Sequence, residues 1–277
     1  MNEKAPRIRK KRDTRAGSGI WKSVFGKLYL ALIFVFLYTP IVALIVYSFN
    51  EGKGRKWVGF SLKWYQDLFT NSAIGEAVVN TLLIALISSV VATLIGVISC
   101  VGIQALKNKF KGVYMAINNI PLLNSDLVTG LSLMLVFGVF GITLGFPSVL
   151  IAHISFNVPY VILNVLPRLR AMNMSTYEAA QDLGAKPIRA FFAVVVPEIM
   201  PGIISGFLMA FTMSLDDFII THFTKGPGIN TISTLIYSEV RRGVRPTMNA
   251  LSTIMFISAI VLLVLSNMQP AEREDSK

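Results

Sequence analysis

Charge is scarce in these 277 residues: Asp, Glu, Lys and Arg make up 15% of the chain, against about 25% in an ordinary soluble domain. With 53% hydrophobic residues and a mean hydropathy of +0.62, that scarcity excludes a disordered chain and argues against a soluble globule. Cysteine occurs once, at Cys100, which excludes an intramolecular disulfide and a cysteine-based metal cluster. Only two histidines occur, His153 and His222. Without metal-ligand spacing they are expected to be packed or hydrogen-bonded, so no metal site and no catalytic residue is assigned. No G-x-x-x-x-G-K-[ST] run is present, so the chain is not itself a P-loop ATPase. Gly17-x-Gly19 and Gly226-x-Gly228 lack the rest of a dinucleotide fingerprint.

What is present is long apolar runs. Leu28 to Phe49, Ala77 to Leu106, Leu127 to Pro167 and Pro246 to Ala271 contain no charged residue. A helix needs about 20 apolar residues to cross about 30 Å of hydrocarbon. The third run is too long for one crossing, and Gly141, Gly145 and Pro147 divide it with a short hairpin. The helix before that hairpin must start near Val113 and run through Asp126. A further span follows Glu198. The expectation is an all-α membrane protein with six spans, near residues 28–49, 77–103, 113–140, 147–166, 199–221 and 249–268. A basic tail, residues 1–27, precedes this 28–268 domain, and a short tail, 269–277, follows it. The first apolar segment is longer than a signal-peptide core and lacks a small-residue cleavage pattern, so it reads as a retained span.

The formal charge is +11, from 26 basic and 15 acidic residues. The basic residues are unevenly placed. Eighteen of the 26 lie in residues 1–27, 104–112, 167–197 and 269–277, and eight in 50–76 and 222–248. The positive-inside rule puts the richer set, and with it both termini, on the cytoplasmic side. Lys10-Lys11-Arg12 then reads as a topology signal touching anionic lipid rather than a nucleic-acid site.

Small residues recur every fourth position in two spans: Ser88, Ala92, Gly96 and Cys100, then Gly202, Gly206, Ala210 and Ser214. Such stripes let another backbone approach closely, here within the helix bundle. In residues 61–74, Leu62, Tyr65, Leu68 and Phe69 can share one face of a short interfacial helix. Trp57, Trp64 and Tyr65 read as interface anchors.

The longest basic-side loop, residues 168–197, carries a local plan. Ser175 and Glu178 have capping-box spacing. Gly184 can take a positive φ and end that helix, and Pro187 suits the first turn of a second one. Local physics thus predicts helix–turn–helix with a compact tip.

Glu178-Ala179-Ala180, three residues, Gly184, nine residues and Val194-x-Val196-Pro197 resemble the EAA signature of bacterial ABC-importer permeases. Val194 and Val196 stand where that pattern has Ile and Leu. The likeness covers nearly the whole chain through Lys63-Trp64-Tyr65, Ser214-Leu215-Asp216-Asp217, Gly226-Pro227-Gly228 and Val244 to Leu251. It points to the PotC-type spermidine/putrescine permeases. The resemblance implies a type I importer subunit of MetI-like fold in a bacterial cytoplasmic membrane. It implies a second, PotB-like permease, a homodimeric PotA-like ATPase and an external PotD-like binding protein. No cofactor is implied for this chain, because the partner ATPase binds ATP and magnesium. Glu178, Ala179, Ala180, Asp182, Leu183 and Gly184 would form the ATPase-coupling element.

Acids inside spans are costly and default to function. Asp126 lies about 20 Å into its predicted helix, and Asp216 and Asp217 about 27 Å into theirs, at 1.5 Å per residue. With Glu239 of the last external loop they are the substrate-pathway candidates, suited to a polyamine's ammonium groups. Each has a structural rival. Asp126 can cap a helix restarting after Pro121. Asp216 or Asp217 can pair with Arg241, Arg242 or Arg245, and Glu239 can be a solvated acid. The alternatives are another organic-cation or amino-acid permease, an ion-coupled secondary transporter using these acids, or a membrane enzyme, for which neither histidine has an obvious acid or serine partner in sequence.

Overall fold

A computed structural model describes residues 16–53, 56–242 and 246–267. Lys10-Lys11-Arg12 and the tail 269–277 lie outside the described residues. The described residues divide into two units, those up to 68 with 246–267, and those from 69 to 242. Among the described residues everything regular is helical, apart from an isolated antiparallel bridge between Asn50 and Phe60. Among the described residues four helices are long and apolar enough to cross a membrane, five if a bent pair is counted as one crossing.

In the first unit, α1 (Ala16–Ser48) lies against α12 (Pro246–Asn267). Leu28, Leu32, Val35 and Phe36 of α1 are exposed, as expected of a helix whose apolar sides meet lipid. A short helix, α2 (Lys63–Thr70), follows the loop after α1. Its buried face is Trp64 and Leu68, one turn apart, whereas Leu62 and Phe69 point outward. Trp64 is therefore not an interface anchor. Its Nε1–H donates to the Asn50 carbonyl at 2.7 Å, which satisfies a buried indole. Tyr65 meets Ser48 at 2.8 Å.

The second unit is built on α3 (Ser72–Ala105), α6 (Phe146–Ala171) and α9 (Val196–Asp216), which pack against one another. Every member of both small-residue stripes is buried. At Gly96 and Gly206 the neighbour is Val161 of α6. A Cβ on Gly96 would stand 2.6 Å from Val161 Cγ1, and one on Gly206 would stand 3.3 Å from Val161 Cα. Both flanking helices approach α6 at contact distance, around a core of Ala92, Cys100, Ile162, Val165 and Ile199. Dispersion and close fit drive this packing, because lipid removes the usual hydrophobic advantage.

The third predicted span, 113–140, is not one helix. Asn108–Leu123 (α4) and Asp126–Val139 (α5) meet at 106°. Pro121 removes a backbone donor in the last turn of α4, and Asn124 and Ser125 are both extended. Asp126 consequently opens a helix instead of lying within one. The hairpin after α5 falls where Gly141 and Gly145 predicted it, with Gly141 at φ +66° and Pro147 in the first turn of α6. The fifth span also ends earlier than predicted. Asp217 is extended and turns the chain into α10 (Ile219–Thr224). The Gly226-Pro227-Gly228 turn then passes so close to the Leu144 carbonyl that no Cβ fits at Gly226. After it, α11 (Ile232–Arg242) returns to α3. There Ile232 N–H donates to Thr81 Oγ1 at 2.9 Å, and Asn80 donates to the Asn230 carbonyl at 3.2 Å.

Candidate functional site: an acidic cavity and a coupling loop

Asp126, Asp216 and Asp217 come together although about 90 residues of chain separate the first from the others. They line one cavity of about 330 Å³ with Phe156, Thr212 and Phe218. Its assembly follows from close packing. A Cβ on Gly130, one turn beyond Asp126, would lie 3.3 Å from Ile220 Cα. The missing side chain lets the first turn of α5 settle against α10, beside the elbow that carries Asp216 and Asp217. Phe156 and Ile220, which also line the cavity, belong to a buried apolar cluster with Phe137 and Ala152.

The three acids are not equivalent. Asp126 and Asp216 are exposed. Asp217, whose side chain is 7% exposed, accepts from Ile220 N–H at 3.2 Å, Thr221 N–H at 2.8 Å and Thr221 Oγ1–H at 2.8 Å. His153 Nε2 lies 3.4 Å from the same carboxylate. Asp217 thus caps the first turn of α10, where exposed N–H groups and the helix dipole favour an anion. Among the described side chains its ionisable partner is His153, not Arg241; the Arg242 side chain and Arg245 lie outside the described residues. Glu239 is on α11, 7% exposed, and does not line the acidic cavity.

The histidine had no visible partner in sequence, and the fold supplies two. His153 Nδ1 lies 2.6 Å from Ser214 Oγ, and Nε2 lies 2.9 Å from Thr221 Oγ1. Ser214 reaches Ser88 at 3.2 Å, and Asn157 Nδ2–H donates to Ser88 at 3.5 Å. The Ser–His–Asp grouping resembles a nucleophile array only in composition. His153 is 1% and Ser214 4% exposed, and a hydroxyl sealed between helices meets no acyl group. His222 packs against Phe218, Phe223 and Tyr237. A second cavity of about 330 Å³ beside it is lined by Lys225, Tyr237 and Arg241. Lys225 Nζ donates to Asn230 at 2.6 Å, and burial pushes its ammonium below the ordinary lysine range.

The 168–197 loop is helix–turn–helix. α7 (Met174–Asp182) is capped by Asn173, which accepts from Ser175 N–H at 3.1 Å. The predicted Ser175–Glu178 capping box is not used, because Asn173 takes the cap position two residues earlier. Gly184 has φ +89°, and Pro187 opens α8 (Pro187–Ala190). A π-helical turn, Phe191–Val195, then feeds α9; such turns interrupt regular helices at a cost. Tyr177 and Phe191 pack on the core beneath. No residue of α7 is buried. Glu178, Ala179, Asp182, Leu183 and Gly184 are exposed, Ala180 is half-buried, and Leu183 is 90% exposed.

Comparison with known proteins agrees with this architecture. The model of the binding-protein-dependent transport system inner membrane component family matches residues 92–268. The chain is 40% identical over 243 residues to the putrescine transport system permease protein PotI of Escherichia coli (strain K12), covering 84% of this chain and 86% of that one. It is 34% identical over 241 residues to the spermidine/putrescine transport system permease protein PotC of Haemophilus influenzae, covering 87% and 94%. Among solved structures it is similar to a bacterial ABC transporter involved in the import of the acidic polysaccharide alginate. That match has a TM-score of 0.68 at 19% identity, over 90% of this chain and 96% of that one. A structure of a bacterial alginate ABC transporter with a pentasaccharide-bound periplasmic protein matches at 0.66 and 19% identity, over 91% and 96%. At such identity the likeness concerns the fold, which is that of a type I ABC-importer permease. The chain belongs to the family of binding-protein-dependent transport system inner membrane components, a multi-pass transport subunit rather than an enzyme.

Proposed function

We propose that this chain is the transmembrane subunit of an ATP-driven polyamine importer, taking spermidine or putrescine across a bacterial cytoplasmic membrane. The carrying observation is the cavity into which Asp126 and Asp216 present exposed carboxylates. Two anions beside Phe156 and Phe218 suit an alkyl chain that bears several ammonium groups: the acids replace hydration and the rings contact methylenes and cations. The transport roles of relatives at 34% and 40% identity support the same cargo.

The chain crosses the membrane six times with both termini in the cytoplasm. It pairs with a PotB-like permease, a PotA-like ATPase dimer that binds ATP and magnesium, and a PotD-like external binding protein. The binding protein delivers cargo to the 50–76 and 222–248 segments. ATP binding closes the ATPases, and the Glu178–Gly184 segment carries that closure to the helices. Its support is a helix with no buried residue and a 90% exposed Leu183 at its tip, which calls for a partner surface.

Uptake of radiolabelled putrescine and spermidine by importer-deficient cells expressing all four subunits tests the reading. Accumulation is expected, competed by either polyamine and lost when the ATPase P-loop lysine is replaced. Uptake that persists without ATP hydrolysis, or competition by amino acids alone, overturns it.

A further inference from the structure

Asp217 is the acid of the cavity with the most hydrogen-bond donors, and those donors have a source deep in the helix packing. Thr221 Oγ1–H already donates to Asp217 Oδ2 at 2.8 Å. The Thr221 oxygen, 2.9 Å from His153 Nε2, is therefore left to accept, which places a proton on Nε2. In the neutral ring Nδ1 then accepts from Ser214 Oγ–H at 2.6 Å. Ser214 Oγ also lies 3.2 Å from Ser88 Oγ, which has the Ala85 carbonyl as a further acceptor at 3.3 Å and accepts from Asn157 Nδ2–H at 3.5 Å. From Asp217 back to Ser214 the direction of each bond is set by its neighbour. The chain runs from α6 through α3 and α9, back to α6, and out through α10 to the carboxylate. Bonds so ordered reinforce one another.

His153, Ser214, Thr221, Ser88 and Asn157 are all buried. Breaking one link therefore strands a polar group without water. Asn157 Oδ1 is already buried with no hydrogen-bond partner, so the inner end has no slack to absorb a rearrangement. The outer end holds the α9–α10 elbow, and Asp216 is the last residue before that elbow.

We propose that His153 is a positioning residue for transport. Through Thr221 and Ser214 it sets the α9–α10 elbow and so aims Asp216 at the cargo, without touching cargo itself. The inference rests on the polyamine-importer reading and adds the residue that orders its site.

The test uses the four-subunit complex in proteoliposomes, with saturating cargo-loaded binding protein, and reads cargo transported per ATP hydrolysed. Thr221→Val keeps the shape and removes the hydroxyl, Thr221→Ser restores it, and His153→Gln shortens the link. Thr221→Val and His153→Gln are expected to keep stimulated ATP hydrolysis within about twofold. Cargo per ATP should fall at least about fivefold, the scale of one lost hydrogen bond, and Thr221→Ser should recover it. Cargo per ATP unchanged in Thr221→Val and His153→Gln overturns the inference, and so does an equal loss of hydrolysis and transport, which marks a purely structural role. Asp126→Asn and Asp216→Asn in the same assay separate the two claims. If they abolish transport while the His153 and Thr221 variants are normal, the cavity stands and the positioning role falls. If all four are normal, the cavity reading falls as well.

Discussion

Val161 of α6 sits directly over Gly96 of α3: a Cβ on the glycine would stand 2.6 Å from Val161 Cγ1 and 2.8 Å from its Cβ. The valine Cβ is fixed by the backbone, so a methyl group at Gly96 has to push the helices apart.

Gly96→Ala is expected to destabilise the permease by about 1–3 kcal/mol through overpacking. Thermal unfolding in detergent measures this. Val161→Ala removes the nearest clashing atom, so the double variant should lose less than the two single losses added together. Strict additivity would show that the two residues do not meet.

Leu183→Ala removes a side chain that is 90% exposed, so the permease's own stability should stay within about 0.5 kcal/mol. Recovery of the ATPase on the purified permease, and hydrolysis stimulated by loaded binding protein, should both fall. Undiminished recovery would mean that the tip is not the docking element.

Asp126→Asn and Asp216→Asn replace exposed carboxylates, and assembly should be unaffected. Each removes a charge-assisted bond worth about 1.5–3 kcal/mol, so polyamine uptake should drop by roughly tenfold or more. Glu239→Gln, away from the cavity, serves as the comparison. Equal uptake in all three would take the acids out of the pathway.

Thr81→Val leaves the buried Ile232 N–H without its acceptor. The cost should be about 1–3 kcal/mol, with the α10–α11 segment loosening first. Hydrogen exchange followed by mass spectrometry should show faster exchange in residues 225–242 than in α6.

Much of the frame was legible before folding. The stripes at Ser88–Cys100 and Gly202–Ser214 identified packing faces because small side chains at fourfold spacing make a groove whatever fills it. Gly184 and Gly141 marked turns because a positive φ is nearly cost-free only for glycine. Other readings failed where two local signals competed. Ser175–Glu178 has capping spacing, yet Asn173 reaches the first free N–H groups before it. Trp64 has an anchor's amphipathic ring, yet a carbonyl at Asn50 made burial favourable. The restart of a helix at Asp126 after Pro121 stood among the sequence readings, but its 106° bend did not, because an apolar run registers hydropathy, not direction.

Apolar run length, glycine and proline placement and the distribution of Lys and Arg belong to the sequence alone. They carry the apolar spans, the expected membrane orientation and the helix–turn–helix plan of the EAA-bearing loop, since each depends on neighbours along the chain. Only the tertiary structure decided which acids share a cavity. Asp126 reaches Asp216 because Gly130 lets α5 close on α10, and Asp217 is held because His153, 64 residues earlier, meets it across two helices. Such contacts depend on interhelical distance, which no local pattern encodes.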